Sequence, residues 1–299
     1  MTLLLWTFAI AILTAVACSL AGVLLVVKRE AFISEGLSHA VLPGIILAYL
    51  FFQDRNSLWL IVSAGLSGLI MVWLAQAIMR TGRVNQDAAL GIVFSGMFSV
   101  GIIASSMKLK NIHFHAHCII DGNLAFAAIK PFEIGGVYLG PKAFVSMAFC
   151  LALLIGFITI FFKELKLMAF DEPTSHMLGF RPKVIHTLWL AIVSIISVAA
   201  FETAGTILVV ALMIAPPAAA NLLTTRLSTM FVISGLIGAL TAIGGVALSM
   251  PLEISPAGPI SSAAGFLFLI VVFLAPATGI LSQWRSRSLQ RRKLLEALK

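Results

Sequence analysis

Long apolar runs separated by short polar gaps dominate this chain. A helix needs roughly 20 apolar residues to cross about 30 Å of hydrocarbon, and nine runs approach that length. They lie near 3–27, 37–53, 58–79, 88–107, 144–162, 184–200, 204–223, 229–250 and 259–282. The runs are too long for barrel strands and lack a period of two, so strand content near zero is expected. The pattern predicts an all-α, polytopic transmembrane bundle of nine spans, or of eight if one run beside Glu202 is re-entrant.

Composition excludes an ordinary soluble fold. Hydrophobic residues make up 60% of the 299 residues and charged residues only 11%, so most of the surface must face lipid or other apolar helices. The net charge of +8 follows from topology. With nine spans and a cytoplasmic carboxy-terminal tail, fifteen of the 20 Lys and Arg residues fall on the cytoplasmic side, as the positive-inside rule requires. We expect an outer amino terminus, a cytoplasmic carboxy terminus and no nucleic-acid partner.

The domain organisation is simple. Residues 1–282 are predicted to form a single membrane domain, with a polar cytoplasmic segment at 163–183 and a basic tail at 283–299. The tail suits the anionic lipid of the inner leaflet. The outer segment 108–143 is long and rich in Gly and Pro, and it is expected to fold partly onto the membrane surface.

Glu35 and His39 open the second run, four residues apart. This spacing places both side chains on one face of a helix. A carboxylate and an imidazole begin a ligand set for a divalent transition metal. Two ligands are too few for a tight structural site, but a transport site must also release its ion. The alternative is that the pair forms hydrogen bonds within the bundle, or that Glu35 lies at the interface near Lys28 and Arg29.

Other polar groups allow weaker hypotheses. Glu202 either lines a translocation route or lies at the outer end of a helix, since a carboxylate in a membrane is unfavourable without water or a cation. An extended tract carries His113, His115 and His117, which either collect metal at the outer mouth or belong to an ordinary polar loop.

The cytoplasmic segment 163–183 predicts a short helix. Asp171 is a plausible N-cap and Gly179 a plausible C′ residue, while Pro182 prevents continuation. A helix of about two turns is marginal in water and needs a partner surface. The segment therefore either docks a partner or caps the bundle.

The sequence lacks three common motifs of catalysis and nucleotide binding. It has no HExxH, GxSxG or GxxxxGK[ST]. We therefore expect that the chain is not an enzyme, and that any ATP hydrolysis behind transport takes place on a separate subunit.

Four ordered blocks resemble the permease subunits of bacterial ABC importers for manganese, zinc and iron. They are SEGLSHAVLPGIILAYL (34–50), DAALGIVFSGMFSVGI (87–102), KELKLMAFDEPTSHMLGF (163–180) and AGTILVVALMIAPPAAANLLTTRLSTM (204–230). The resemblance covers most of residues 30–250. It departs from the family pattern at Glu35, usually Asp, at Gly36, usually Ala, at Glu202, usually neutral, and in the histidine tract.

The resemblance implies a vitamin-B12-permease-like fold in the bacterial plasma membrane. The partners it implies are a second permease of the same or a homologous chain, a cytoplasmic ABC ATPase dimer and an extracytoplasmic metal-binding receptor. Glu35 and His39 match the pore-lining acid and histidine of the family. Cofactors are not expected to bind permanently, and Mn²⁺, Zn²⁺ or Fe²⁺ is expected as cargo. The residues implied in ATPase coupling are Asp171, Glu172, Pro173, His176, Leu178 and Gly179.

Three other functions compete with metal import. An ABC permease for haem, siderophores or cobalamin could share the scaffold, but it would not need a metal-ligand pair in its passage. An ion-coupled secondary transporter would work without an ATPase. An intramembrane enzyme would need a complete catalytic constellation, and Ser38 and His39 are adjacent on a helix and so face apart.

Overall fold

Helices make up nearly all of the described chain. The computed structural model describes residues 2–52, 58–108, 124–129, 131–134 and 137–275. The helices are α1 (Thr2–Val27), α2 (Phe32–Phe52), α3 (Leu58–Met79), α4 (Gln86–Lys108), α5 (Leu124–Ala127), α6 (Lys142–Ile160), α7 (Phe162–Phe170), α8 (Glu172–Met177), α9 (Pro182–Ala204), α10 (Thr206–Leu223), α11 (Leu227–Leu252) and α12 (Ala257–Leu274).

Within these ranges, nine helices are long and apolar enough to cross a membrane. They are all of the helices except the short α5, α7 and α8. This confirms the predicted helical membrane bundle and favours nine spans over eight. The two helices near Glu202, α9 and α10, are separated by the single residue Gly205, which has a φ of 85°.

Three boundaries differ most from the predicted runs, and one of them is the end of α12, at Leu274, although its apolar run continues to about 282. Helix α2 begins at Phe32 although its apolar run begins near 37, because Ile33 N–H already donates to the Glu30 carbonyl at 2.9 Å. Helix α9 continues to Ala204 rather than ending near 200. Polar side chains shorten an apolar run without interrupting the backbone hydrogen bonds that define a helix.

The segment 108–143 contains a β-hairpin that the apolar pattern did not predict. Strand β1 (Pro131–Ile134) pairs antiparallel with β2 (Val137–Pro141). Gly140, with a φ of 111°, lies against the Trp6 indole, where an added Cβ would be 3.1 Å from the ring. The Trp6 ring also contacts Phe144 edge-on, with centroids 5.1 Å apart. These contacts hold the hairpin against the beginnings of α1 and α6.

The long helices form two groups joined by α9. Helices α2, α3 and α4 pack together, while α1 packs against α6, α10 and α11, and α12 packs against α10 and α11. Helix α9 contacts α2 and α3 in one group and α1 and α6 in the other. The core lies along α1 and α9, where Trp189 and Ile10 are fully buried.

Buried serines link the helices within and between these groups. Ser194 on α9 donates to the Gly65 carbonyl on α3 at 3.1 Å, and Ser67 on α3 donates to the Ala40 carbonyl on α2. Ser234 on α11 donates to the Ser19 carbonyl on α1 at 2.9 Å. Helices in lipid gain no hydrophobic driving force from associating with one another. Hydrogen bonds of this kind and close contacts at small residues hold them together instead.

The bundle has two distinguishable ends. The hairpin end carries β1–β2 and the salt bridge between Lys142 and Glu202. The α8 end carries α7, α8 and the turn between α1 and α2. His186, near the start of α9, contacts Glu30 in the turn between α1 and α2.

Candidate translocation site

Glu35 and His39 lie at the beginning of α2, near the α8 end. Glu35 is in the first helical turn, and His39 is seven residues after Phe32, about 10 Å along the axis. The Glu35 side chain is exposed and the His39 ring is half-buried. A carboxylate in the first turn also interacts favourably with the helix dipole.

Two phenylalanines of α4 hold the His39 ring. It stacks on Phe94 with centroids 5.2 Å apart and an interplanar angle of 18°. It also meets Phe98 edge-on at 5.2 Å. Since the rings contact the imidazole through its π faces and edges, they orient it without occupying its nitrogens with hydrogen bonds. The sequence analysis missed both residues, although the FSGMF spacing puts them one turn apart on α4.

The side-chain polar atoms of Glu35 and His39 have no hydrogen-bond partner among the described residues. The alternative of a pair satisfied within the bundle therefore gains no support from that part of the chain. Ser38 is separate from the pair, because its hydroxyl donates to the Glu35 carbonyl within α2 at 2.6 Å. A neutral imidazole with a free nitrogen is a common metal ligand.

The site is sparse. Across the described ranges, no group of three or more His, Cys, Asp or Glu side chains is placed to hold a metal ion. From these four residue types in those ranges, the site therefore offers Glu35 and His39 but no third ligand. Such a site suits a cation that keeps part of its hydration shell, rather than a permanently bound ion.

Gly36 fits a crowded interior position beside the site. It is buried between α3 and α4, and an added Cβ would lie 3.0 Å from the Met71 sulfur and 3.7 Å from Phe94. The Met71 side chain thus occupies the space that an alanine methyl group would need.

Glu202 lies away from this pair. It occupies the last turn of α9 and forms a 3.2 Å salt bridge with Lys142, both side chains being partly exposed. Its helix begins near Glu30 and ends at the hairpin end, so the length of α9 separates Glu202 from Glu35. The structure does not bring Glu202 into one site with Glu35 and His39.

Helix α8 has the ends that its sequence predicts. Thr174 N–H donates to the Asp171 carboxylate at 3.1 Å, which is an N-cap bond. Gly179 adopts a φ of 81°, and Phe180 N–H donates to the Ser175 carbonyl at 3.1 Å. This pair of features is a Schellman-type end. Hydrogen bonds from the side chain and the backbone of Thr174 lower the pKa of Asp171, which favours the ionised form of the cap.

Apolar side chains are exposed around α8. Phe170 is 54% exposed, Met177 88% and Leu178 60%, while Pro173 and Gly179 are also exposed. Leu165 and Met168 of α7 and Ser175 of α8 are buried and anchor the segment. Glu172 and His176 are in α8. Exposed apolar side chains outside the membrane spans indicate a surface for another protein.

Sequence and structure comparisons agree with this architecture. The family model described as "ABC 3 transport family" matches residues 1–275. The chain belongs to the ABC 3 transport family. The chain is therefore a membrane permease, and a plasma membrane location is expected.

Relatives match most of the length of the chain. The manganese transport system membrane protein MntD of Bacillus subtilis is 34% identical, over 96% of this chain and 97% of that protein. The zinc transport system membrane protein TroD of Treponema pallidum is 37% identical, over 91% of this chain and 74% of that protein. Among solved structures, PsaBC of Streptococcus pneumoniae in complex with Fab matches with a TM-score of 0.76 and 25% identity, covering 93% of this chain and 94% of that one.

One set of predicted residues stays untested in this ABC 3 permease, and one contact was not predicted. His113, His115 and His117 lie outside the described residues, so their role stays a prediction. The contact between Glu30 and His186 was not predicted at all, because the two residues are 156 positions apart and no local pattern connects them.

Proposed function

We propose that the chain is the permease subunit of an ATP-driven ABC importer that carries manganese, zinc or iron by alternating access. Family membership and the metal transport systems to which the relatives belong support the class of cargo. The observation that carries the proposal is the imidazole of His39, oriented by Phe94 and Phe98 one turn from the exposed Glu35 carboxylate.

A second permease, of the same or a homologous chain, would enclose this site. Helix α4 leaves Ile92, Ser95, Ser99 and Ile103 exposed along one face, at the three- and four-residue spacing of a single helical side. Such a mixed face of small polar and apolar residues suits helix pairing better than lipid. In the complete importer, Glu35 would then face a passage between two permeases instead of acyl chains.

The α8 end is proposed to be cytoplasmic and to contact the ATPase dimer. Most basic residues lie on this side if the amino terminus is outside and the carboxy terminus inside. The exposed Met177 and Leu178 give α8 apolar contact area, and the Asp171 cap and Gly179 end fix its length. An extracytoplasmic receptor would deliver the ion at the opposite, hairpin end.

The chemistry proposed for the site is transient coordination. An ion that enters the passage loses part of its hydration shell, and the Glu35 carboxylate and His39 nitrogen replace some of that shell. Two ligands hold the ion weakly enough for release once ATP hydrolysis changes which end is open. Glu202, paired with Lys142 at the hairpin end, would act at most near the outer mouth.

The test is ATP-dependent uptake of labelled manganese, zinc and iron by the complete complex in proteoliposomes. We expect Glu35→Ala and His39→Ala each to reduce uptake of the native metal about tenfold or more, since loss of even an outer-shell partner of a metal ligand costs about 10–100-fold in affinity or activity. Glu253→Gln is the matched control, because Glu253 is an exposed carboxylate in the turn after α11, far from α2.

Each competing function predicts a different result. If His39→Ala left uptake intact while haem or cobalamin was transported, the passage would serve a bulky ligand. If the permease alone moved metal along an ion gradient without its ATPase, the ABC mechanism would be wrong.

A further inference from the structure

Glu30 and His186 form a contact that the translocation site does not use. The His186 Nε2 and Glu30 Oε2 atoms are 2.7 Å apart. Their side chains are only 15% and 13% exposed. A hydrogen bond to a carboxylate is stronger than one between neutral groups, and low exposure protects it from solvent competition.

The backbone fixes Glu30 between two helices. At the end of α1, Arg29 N–H donates to the Val26 carbonyl at 3.0 Å and Glu30 N–H to the Leu25 carbonyl at 2.6 Å. Arg29 adopts a φ of 60°, which non-glycine residues rarely do. The Glu30 carbonyl then accepts from Ile33 N–H in the first turn of α2. Glu30 is therefore a rigid joint from which α2 starts.

A short stretch of chain connects His186 to α8. Helix α8 ends at Met177 and α9 begins at Pro182, so only a short stretch of chain separates them. In the first turn of α9, Val184 N–H donates to the Arg181 carbonyl at 3.0 Å. His186 is the fifth residue of α9, so a displacement of α8 reaches His186 through a few residues. Helix α9 also contacts α2 directly.

The contact thus joins the α8 segment to the start of the helix that carries Glu35 and His39. Glu35 follows Glu30 by five residues, and α2 is continuous between Phe32 and both site residues. A rigid helix transmits a displacement at its first turn to side chains one and two turns further on.

We propose that the Glu30–His186 contact is a positioning link that transmits movement of α8 to Glu35 and His39. The proposal rests on the proposed function, in which α8 contacts the ATPase. Neither residue touches the ion. Breaking the link leaves ATP hydrolysis running but lowers the number of ions carried per ATP.

The test compares two substitutions of similar size at His186 in the complete, reconstituted importer. His186→Gln retains an N–H that can donate to Glu30, and His186→Leu does not. For each variant, ATP hydrolysis and labelled metal uptake are measured in the same proteoliposomes. We expect His186→Leu to lower the ratio of ions to ATP at least fivefold, with hydrolysis within twofold of wild type, and His186→Gln to keep most of the ratio.

Two controls isolate the link. In a Glu30→Leu background, His186→Leu should cause no further loss, because the contact is already broken. Thr187→Val removes an exposed hydroxyl that donates to the Lys183 carbonyl within α9, next to His186, and should leave the ratio unchanged. If His186→Leu prevents assembly, Glu30→Leu and Glu30→Gln provide the same comparison from the other side.

The outcomes separate this proposal from the proposed function. A wild-type complex that moves no metal would overturn the function. A wild-type complex that moves metal, with His186→Leu giving the wild-type ratio or with additive losses in the double variant, would overturn the link alone.

Discussion

At the residue scale, single side chains determine where local structure begins and ends. Asp171 illustrates this, because its carboxylate accepts the Thr174 N–H that would otherwise lack a partner in the first turn of α8. The same hydrogen bonds lower the pKa of Asp171. A carboxyl group with a lowered pKa stabilises the folded state above its ordinary pKa, and this stabilisation disappears as the pH falls through the lowered value.

Two substitutions at Asp171 should distinguish the effect of the capping hydrogen bond from the effect of the negative charge. Asp171→Asn keeps a side-chain oxygen that can accept the Thr174 N–H, whereas Asp171→Ala does not. We expect Asp171→Ala to reduce ATP-dependent metal uptake several-fold and Asp171→Asn to remain near wild type, measured between pH 6 and 8, where the wild-type cap is ionised throughout. Equal losses in both variants would mean that the charge, and not the cap, matters at this position.

The sequence predicted local residue roles better than distant ones. The cap at Asp171 and the left-handed Gly179 could be predicted because both depend on neighbours within a few positions. The partners of His39 and the Glu30–His186 contact could not, since they depend on how α4 and α9 pack against α2. Helical spacing placed Glu35 and His39 on one face but carried no information about Phe94 and Phe98.

At the element scale, small residues determine how closely the helices approach. Gly245 on α11 lies against the backbone of α12, where an added Cβ would be 2.6 Å from the Ile260 nitrogen. Gly244, its neighbour, has nothing within 4 Å of the same position. In the sequence Gly244 and Gly245 are adjacent and equivalent, and nothing in it shows which of them faces a neighbouring helix.

This contrast gives a matched pair of variants. Gly245→Ala forces α11 and α12 apart, and overpacking of this kind destabilises by about 1–3 kcal/mol. Gly244→Ala should be neutral or slightly stabilising, because alanine favours helix and meets no neighbour. Thermal unfolding of the purified permease in detergent measures both effects. Equal melting temperatures for the two variants would contradict the packing of α12 on α11.

At the scale of the whole molecule, α9 joins the two groups of helices. It contacts α2 and α3 on one side and α1 and α6 on the other, and its ends carry Glu30–His186 and Lys142–Glu202. Span number and helical class followed from hydrophobic run length, because a membrane requires a minimum apolar length. The hairpin β1–β2 did not, since its pairing depends on residues outside any apolar run.

The central claim is that Glu35 and His39 touch the transported ion, and selectivity tests it most directly. Replacing His39 with cysteine exchanges an imidazole for a softer thiolate, which favours zinc over manganese. The measurement is the ratio of zinc to manganese uptake by the complete importer, for wild type and His39→Cys. We predict that the ratio rises by roughly tenfold as the ligand changes, and a variant that transports at the wild-type rate with an unchanged ratio would contradict direct contact.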